Sequence, residues 1–362
     1  MADLAACLYC DQPTGSLEHV LASGIGGRLA TTTLLCCDHN NLCGRWADDP
    51  LSKQFEYAIH CLEARKGDGT RGTTWHGLVA QDGQRFDILA DFTARMKQHV
   101  ETTETGGKRI TTTHPEGLKK IETDLEKAYD FAESFTMIRS DNFRPICKAT
   151  DDGMRGILKA ALHFVAMQTT NEAEARSAAT SVAAAIFCDA IPTEHVHLQP
   201  YDPTRARGTP HRHTIVAWNE DDVTKALVTI FNIVTYIVIL PHVTISPCRY
   251  VQDTRSGQWT VAACDVPQGS WYGPERAKED WQEEYGLRVD LIVALGQSKS
   301  HIADIIRDAL EEPQFNSFSR EQKIEFLTTQ VDERFRYPLE RIPIWFLRDV
   351  NDFVERRVLA TV

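Results

Sequence analysis

Apolar and β-branched residues near the N-terminus follow the pattern of a β-hairpin and a helix. A strand beginning at Glu18-His19-Val20 runs into the glycine-rich turn 24–27, and residues 31–35 form a second, β-branched strand. A short helix follows from Asn40, and we expect Pro50 to mark its end. The pattern therefore predicts a small ββα unit in the first fifty residues.

Longer elements are predicted farther along the chain. Apolar residues recur at helical spacing over 118–135, and Asp151 or Asp152 caps another helix with an inward apolar face. Lys159 and His163 on that helix are interpreted as ordinary helix residues, and 171–189 is expected to form an alanine-rich helix. Strands are expected at 213–218, 225–231, 233–240 and 259–264, and closing helices at 298–312, 320–335 and 343–358.

A Gly/Thr-rich stretch over 67–74 is the predicted domain boundary. It separates an N-terminal domain over 1–66 from a larger domain over 67–362, with a further division near residue 140. A length of 362 residues is enough for two or three domains. We therefore predict an α+β fold, with a small N-terminal domain followed by a larger mixed α+β accessory domain.

Four residues near the N-terminus have the spacing of zinc ligands. Cys7-x-x-Cys10 and Cys36-x-x-His39 form two short-spaced pairs, which predict a closed Cys3His structural site. Six of the ten cysteines lie in the first 61 residues, where a small unit needs a metal for stability. A disulfide or a redox CxxC is the alternative, and Cys37 competes with Cys36 as the third ligand.

Charge and hydropathy limit the classes of function. The net charge of −12 argues against indiscriminate nucleic-acid binding, and residues 1–60 hold three basic residues against seven acidic ones. The start MADLAACLYC has no signal-peptide pattern, so we expect a cytoplasmic protein. The uncharged run 226–240 is too short to span a membrane and instead predicts two buried strands, broken near Asn232.

The acid–His pair between the two ligand pairs predicts hydrolytic chemistry. The predicted hairpin and helix allow Glu18 and Asn40 to reach one divalent cation, with His19 beside it. Carboxylate and amide oxygens suit Mg2+, and a neutral imidazole can take a proton from water near physiological pH. Asp48 is interpreted as a residue of ordinary turn and cap chemistry rather than as a metal ligand.

The N-terminal motifs together resemble the HNH endonucleases, which are ββα-metal nucleases with a zinc knuckle. The resemblance is to the branch that reads C-x-x-C, E-H, G-G, C-x-x-C-N-N and G-x-x-x-D-x-P-L, and here it covers roughly residues 5–55. It implies that His19 is the general base and that Glu18 and Asn40 hold a catalytic Mg2+ or Mn2+. It also implies that Cys7, Cys10, Cys36 and His39 hold a structural Zn2+.

The chain departs from that branch at two places. His39 stands where the last knuckle cysteine is usual, and Thr31, Thr32 or Thr33 stands where many members carry an Asn that orients the base. The accessory region is also similar to the one that follows the nuclease core in this branch, but that likeness implies no defined activity.

The resemblance implies an endonuclease that cleaves DNA, regulated by its accessory domain and serving in defence against foreign DNA. Arg205, Arg207 and Arg212 lie in a basic stretch that predicts phosphate contact, with a solvated loop as the alternative. DNA is the expected partner, while a protein partner, an activating ligand and a homo-oligomer are left open. The alternative functions are a non-catalytic zinc-binding assembly module and an RNA-cleaving HNH nuclease.

Overall fold

The computed structural model describes residues 4–67, 75–79, 85–89, 92, 94–96, 99–102, 108–111, 151–188, 192–199, 209–267, 280–337 and 342–362. Contacts divide the chain into two units, one of residues 1–72 with 145–292 and one of residues 73–144 with 293–362. The first sixty-six residues thus share a unit with a later part of the chain. The predicted division into a nuclease domain over 1–66 and an accessory domain over 67–362 stays a prediction.

The N-terminal segment forms the predicted hairpin and a longer helical run. Strand β1 (Ser16–His19) pairs antiparallel with β2 (Ala30–Leu35), so that Glu18 lies opposite Thr31 and His19 opposite Ala30. The helical elements that follow are α1 (Cys37–Cys43), a π-helical turn (Gly44–Asp48), α2 (Asp49–Gln54) and α3 (Glu56–Cys61).

The expected helix end at Pro50 is wrong. Pro50 lies in the first turn of α2, and the helical run continues beyond it. A proline is tolerated there because the first turn of a helix has no intrahelical partner for the missing N–H group.

The first unit also contains a six-stranded antiparallel sheet. Its spatial order is β13-β12-β9-β10-β11-β8. The strands are β8 (Val196–Leu198), β9 (Arg212–Glu220), β10 (Val223–Ile230), β11 (Val234–Pro241), β12 (Cys248–Asp253) and β13 (Trp259–Ala263). The predicted break near Asn232 is confirmed, because Phe231 and Asn232 take left-handed φ values of 52° and 51° in the β10–β11 turn.

Helix α4 (Asp151–Gln168) is the central helix of this unit and is followed by α5 (Glu172–Phe187). It contacts α2 and the π-helical turn as well as β9, β10 and β11. Its approach is close at Gly156, where an added Cβ would lie 2.6 Å from the backbone oxygen of Ala47. A side chain at this position would push the helix away from the N-terminal segment.

The sheet also holds the glycine-rich turn of the N-terminal hairpin. The Nε2 atom of His213 in β9 donates to the backbone oxygen of Ile25 at 2.9 Å. The carboxamide of Gln252 in β12 accepts from the backbone N–H of Arg28 and donates to the backbone oxygen of Gly26. These hydrogen bonds fix the turn against two adjacent strands.

The second unit contains two small sheets and helices. One sheet consists of β3 (Trp75–Val79), β4 (Arg85–Ile88) and β5 (Ala94–Met96), and the other of β6 (His99–Thr102) and β7 (Lys108–Thr111). The helices predicted at 320–335 and 343–358 are confirmed as α7 (Arg320–Arg334) and α8 (Ile344–Thr361).

The helix predicted at 298–312 is part of a longer one, α6 (Asp280–Leu310), which begins in the first unit. The helix predicted over 118–135 lies outside the described residues. The structure is therefore mixed α+β in its described parts. Among the helices described, none is long and apolar enough to cross a membrane.

Candidate metal centre and catalytic site

The four predicted zinc ligands converge in the structure. The Sγ atoms of Cys7, Cys10 and Cys36 lie 3.7, 3.4 and 3.3 Å from Nδ1 of His39, and Cys10 Sγ lies 3.8 Å from Cys36 Sγ. A tetrahedral zinc with Zn–S bonds of about 2.3 Å places two sulfurs about 3.8 Å apart. The donor set and its spacing thus fit a metal ion such as zinc.

Burial distinguishes Cys36 from Cys37, the two adjacent candidates for the third ligand. Cys36 is buried and directed into the group, whereas Cys37 is exposed and accepts a hydrogen bond from Asn41 at 3.7 Å. Cys36 is therefore the ligand that the geometry selects. Cys43 is buried outside the group and packs as a small apolar residue.

Aromatic rings pack against the imidazole of His39, the fourth member of this group. Tyr9 lies between the first two ligands and stacks on His39, with ring centroids 5.4 Å apart and an interplanar angle of 26°. Phe187 at the end of α5 meets the Tyr9 ring edge-on at 4.8 Å. Packing against Tyr9 thus fixes the orientation of this candidate ligand ring.

Glu18 is almost completely buried beside α4. Its Oε1 atom lies 2.6 Å from Nζ of Lys159 and 3.0 Å from Nδ1 of His163, and 1% of the Glu18 side chain is exposed. Burial alone raises the pKa of Glu18, but the charges and hydrogen bonds of Lys159 and His163 outweigh burial and lower that pKa to about 2. The carboxylate is therefore an anion at neutral pH.

Lys159 joins three groups of the N-terminal segment. Besides Glu18, its ammonium donates to Oδ1 of Asp48 and to the backbone oxygen of His19, each at 2.7 Å. Burial lowers the pKa of Lys159, and the nearby carboxylates of Asp48 and Glu18 raise it by more. A lysine has three N–H donors, so this fully buried ammonium is charged and fully hydrogen-bonded.

Asp48, the last residue of the π-helical turn, is the second carboxylate of this cluster. Its side chain is 20% exposed, and it lines the same cavity as Glu18. Burial and the negative charge of Glu18 raise the pKa of Asp48 to about 7, in spite of the opposing charge of Lys159. Asp48 can thus exchange a proton near neutral pH, a property that its interpretation as a turn residue did not include.

A hydrogen-bonded chain connects Glu18 to the metal centre. His163 Nε2 lies 3.0 Å from the hydroxyl of Tyr9, and burial lowers the pKa of His163 below its usual range. Because the Glu18 carboxylate only accepts hydrogen bonds, Nδ1 of the neutral His163 ring donates to it and Nε2 accepts from Tyr9. The chain ends at Tyr9, between Cys7 and Cys10.

The three residues predicted for catalysis line one cavity of about 650 Å3. Burial, together with the charges of Lys159 and Arg28, lowers the pKa of His19 against the opposing charge of Glu18. His19 is therefore neutral at physiological pH and able to accept a proton. The lining residues are Leu17, Glu18, His19, Ser23, Gly24, Asn40, Asn41, Gly44, Arg45, Asp48, Asp49, Ser52 and Lys66.

Asn40 faces the cavity with its amide oriented by β1. Its Nδ2 atom donates to Ser16 Oγ at 2.8 Å and to the backbone oxygen of Leu17 at 3.2 Å. Two of the three threonines of β2 hydrogen-bond to each other, since Oγ1 of Thr31 and Oγ1 of Thr33 are 2.9 Å apart. The backbone of His19 is instead contacted by Lys159.

The basic stretch predicted for phosphate contact is described only in part. Arg205 and Arg207 lie outside the described residues. Arg212 is exposed at the first position of β9, and His213 next to it is fully buried in the sheet. The end of the stretch is therefore strand rather than loop.

Lys159 and His163 are the site residues that the sequence interpretation missed. They lie four positions apart on α4, with Gly156 one turn earlier, so all three occupy one helix face. Both side chains have no exposed surface. The signal in the sequence was this pair of polar residues within the apolar pattern of a helix. A second signal was Glu18, an acidic residue for which the N-terminal motifs supplied no basic partner.

Comparisons with protein-family models, with curated proteins and with solved structures find no match to this chain.

Proposed function

We propose that the chain is a metal-dependent HNH-type endonuclease that hydrolyses phosphodiester bonds in DNA. The observation that carries this proposal is the convergence of Glu18, His19 and Asn40 on one polar cavity, beside a knuckle with the geometry of a zinc site. These are the residues to which the motif resemblance gives the catalytic roles.

The chemistry assigns a separate task to each residue. The neutral His19 imidazole takes a proton from the attacking water. Glu18 and Asn40 offer oxygen atoms of the kind that Mg2+ and Mn2+ prefer, and such an ion would stabilise negative charge on the phosphate and on the leaving oxygen. The Asn40 amide nitrogen is already bonded to β1, so the amide oxygen is the atom available for this task.

Two cations on the cavity wall suit an anionic substrate. Arg45 and Lys66 both line the cavity, in a segment that otherwise carries excess acid. A phosphodiester that enters the cavity would meet these side chains near His19. The net charge of −12 makes unaided binding weak, which is consistent with an activity confined to particular substrates, such as foreign DNA, or to a delivering partner.

Cleavage of supercoiled plasmid with Mg2+ or Mn2+ tests the proposal. We expect the wild-type chain to nick or linearise the plasmid, and we expect His19→Ala at matched zinc content to be slower by at least about 100-fold. His242→Ala, at an exposed position of the same unit, is the matched control and should cleave at the wild-type rate. Equal cleavage by wild type and His19→Ala would reject the site.

A non-catalytic zinc-binding assembly module is the second candidate function. The observation that favours it is the burial of Glu18, whose Oε1 atom is already engaged by Lys159 and His163. If neither plasmid nor a structured RNA is cleaved while the zinc content is complete, this candidate replaces the first. Cleavage of the RNA alone would retain the chemistry and change the substrate.

A further inference from the structure

The helix α4 supplies a cation to a site whose other parts are all N-terminal. Lys159 lies 140 residues beyond His19 in sequence, and its Nζ atom is 2.7 Å from the backbone oxygen of His19. The same atom is 2.6 Å from Glu18 Oε1 and 2.7 Å from Asp48 Oδ1. One ammonium therefore contacts the acid, the backbone of the adjacent histidine and a second acid on the cavity wall.

Charge neutralisation alone does not account for this arrangement. A buried lysine needs one carboxylate to balance its charge, but here the third N–H donor is bonded to the peptide of His19. That bond restrains the backbone from which the His19 ring projects into the cavity. The bond to Glu18 restrains the neighbouring side chain at the same time.

The position of the ammonium is itself fixed by helix packing. Gly156, one turn before Lys159, allows α4 to approach the π-helical turn and α2 closely, and an added Cβ would meet both Ala47 and Leu51 below 3 Å. Arg155 on the same turn lies over the ring of Trp46, with its guanidinium carbon 5.6 Å from the ring centroid. These contacts place α4 directly against the segment that carries Asp48.

We propose that Lys159 is a positioning residue that holds His19 and Glu18 in their working geometry. This inference rests on the proposed function. It implies that the site is composite, because the first sixty-six residues lack the cation that organises it. Lys159 contacts no substrate and acts only through the His19 backbone and the two carboxylates.

A pair of full-length variants isolates this role. Lys159→Met alone leaves two buried acids without their cation and carries a risk of misfolding. Asp48→Asn retains Lys159 with its bonds to Glu18 and His19, and it serves as the reference variant. The double variant Lys159→Met with Asp48→Asn removes the cation together with one of the two acids that contact it, so that the comparison with Asp48→Asn differs only at Lys159.

Kinetics provide the first measurement. Relative to Asp48→Asn, we expect the double variant to lose about 100-fold in kcat for plasmid cleavage with KM unchanged, since a misplaced base slows the chemical step. Lys225→Met, which removes a lysine paired with Glu220 on the sheet of the same unit, should leave both constants at wild-type values. Equal kcat values in the reference and double variants would overturn the proposal.

Histidine NMR provides a measurement that does not depend on activity. In protein labelled at the histidine Cε1 carbons, the His19 signal is assigned by its absence in His19→Ala. We expect the double variant to shift this signal relative to Asp48→Asn, while the signal of His213, buried in β9, stays in place. An unmoved His19 signal overturns the proposal, and so does displacement of both signals, which would indicate a general structural role.

The two measurements also separate failure of this inference from failure of the proposed function. If the wild-type chain cleaves no nucleic acid, the proposed function fails, and the His19 signal alone decides whether Lys159 positions that residue. If the wild-type chain cleaves and the double variant matches the reference, the inference fails and the proposed function stands.

Discussion

The metal centre and the cavity beside it are built in different ways. The four candidate metal ligands lie within 33 residues of sequence, in two pairs with recognisable spacing. The buried cluster at Glu18 depends instead on Lys159 and His163, which come from a helix far along the chain. The first arrangement is local and therefore apparent in sequence, whereas the second arises only when α4 packs against the N-terminal segment.

Substitution of Cys36 has the largest expected effect, because it removes a ligand from the candidate metal centre. Cys36→Ser removes a ligand, so we expect zinc content to fall from about one ion per chain to near zero. Loss of a structural zinc costs folding free energy on the order of 10 kcal/mol in small zinc modules, and unfolding of the N-terminal segment should follow. Elemental analysis and thermal unfolding measure the two effects.

Cys37→Ser is the matched control for that experiment. Cys37 is exposed and lies outside the ligand group, so its substitution should leave zinc content and unfolding temperature unchanged. The opposite result, with zinc lost from Cys37→Ser and kept in Cys36→Ser, would contradict the ligand assignment.

Lys159→Met breaks the buried ionic cluster at Glu18. Removal of one partner from a buried ion pair leaves uncompensated charge and costs about 3–5 kcal/mol of unfolding free energy. The same substitution at Lys225, where Glu220 is 41% exposed, should cost about 1 kcal/mol or less. Denaturant unfolding measures both free energies. Similar losses of unfolding free energy in the two variants would show that the buried cluster stabilises the fold no more than the exposed pair does.

His213 tests whether a buried, neutral histidine in β9 also makes folding stability depend on pH. Burial lowers its pKa to about 4 from an ordinary value of 6.5. The unfolded chain therefore takes up the proton first as the pH falls, so stability is lost between pH 6.5 and 4. The lowered pKa corresponds to about 3 kcal/mol.

His213→Gln should remove that part of the pH dependence. A glutamine can donate to Ile25 and accept from the backbone N–H of Phe231, as His213 does, but it does not titrate. Unfolding free energies from pH 7.5 to 4 make the comparison, with His242→Gln at an exposed site as the control. If the wild-type loss persists in His213→Gln, another group is responsible.

Arg212→Ala has the smallest expected effect. A single phosphate contact from this exposed side chain would weaken DNA binding a few-fold and lower the slope of log K against log salt by about 0.9. Arg249→Ala, also exposed on the same sheet, is the comparison. Equal effects of the two substitutions would mean that only overall charge matters, and no effect would leave Arg212 as a solvated strand residue.

Local patterns predicted much of the fold of the first unit. The hairpin, the metal ligands and the paired strands around Asn232 follow from spacing, β-branching and turn residues over short distances. Strand β12 was missed, although Cys248, Tyr250 and Gln252 alternate inward along it. Its inward polar residue and its short length concealed the period of two.

Local sequence patterns could not predict the ionic cluster around Glu18. The sequence interpretation treated Lys159 and His163 as ordinary helix residues and Asp48 as a turn residue, because no spacing connects them to Glu18. Buried charges must find partners, and the partner is chosen by tertiary packing. A close approach such as that of Gly156 to Ala47 becomes visible only in three dimensions.

Tyr9 connects the candidate metal centre to the buried cluster at Glu18, so the energetics of the two are linked. Its ring stacks on the ligand His39 while its hydroxyl bonds His163, which in turn holds Glu18. Any factor by which metal binding strengthens the Tyr9–His163 bond is the factor by which that bond strengthens metal binding. The metal affinity of the group formed by Cys7, Cys10, Cys36 and His39 would therefore report on the Glu18 carboxylate, which is not a member of that group.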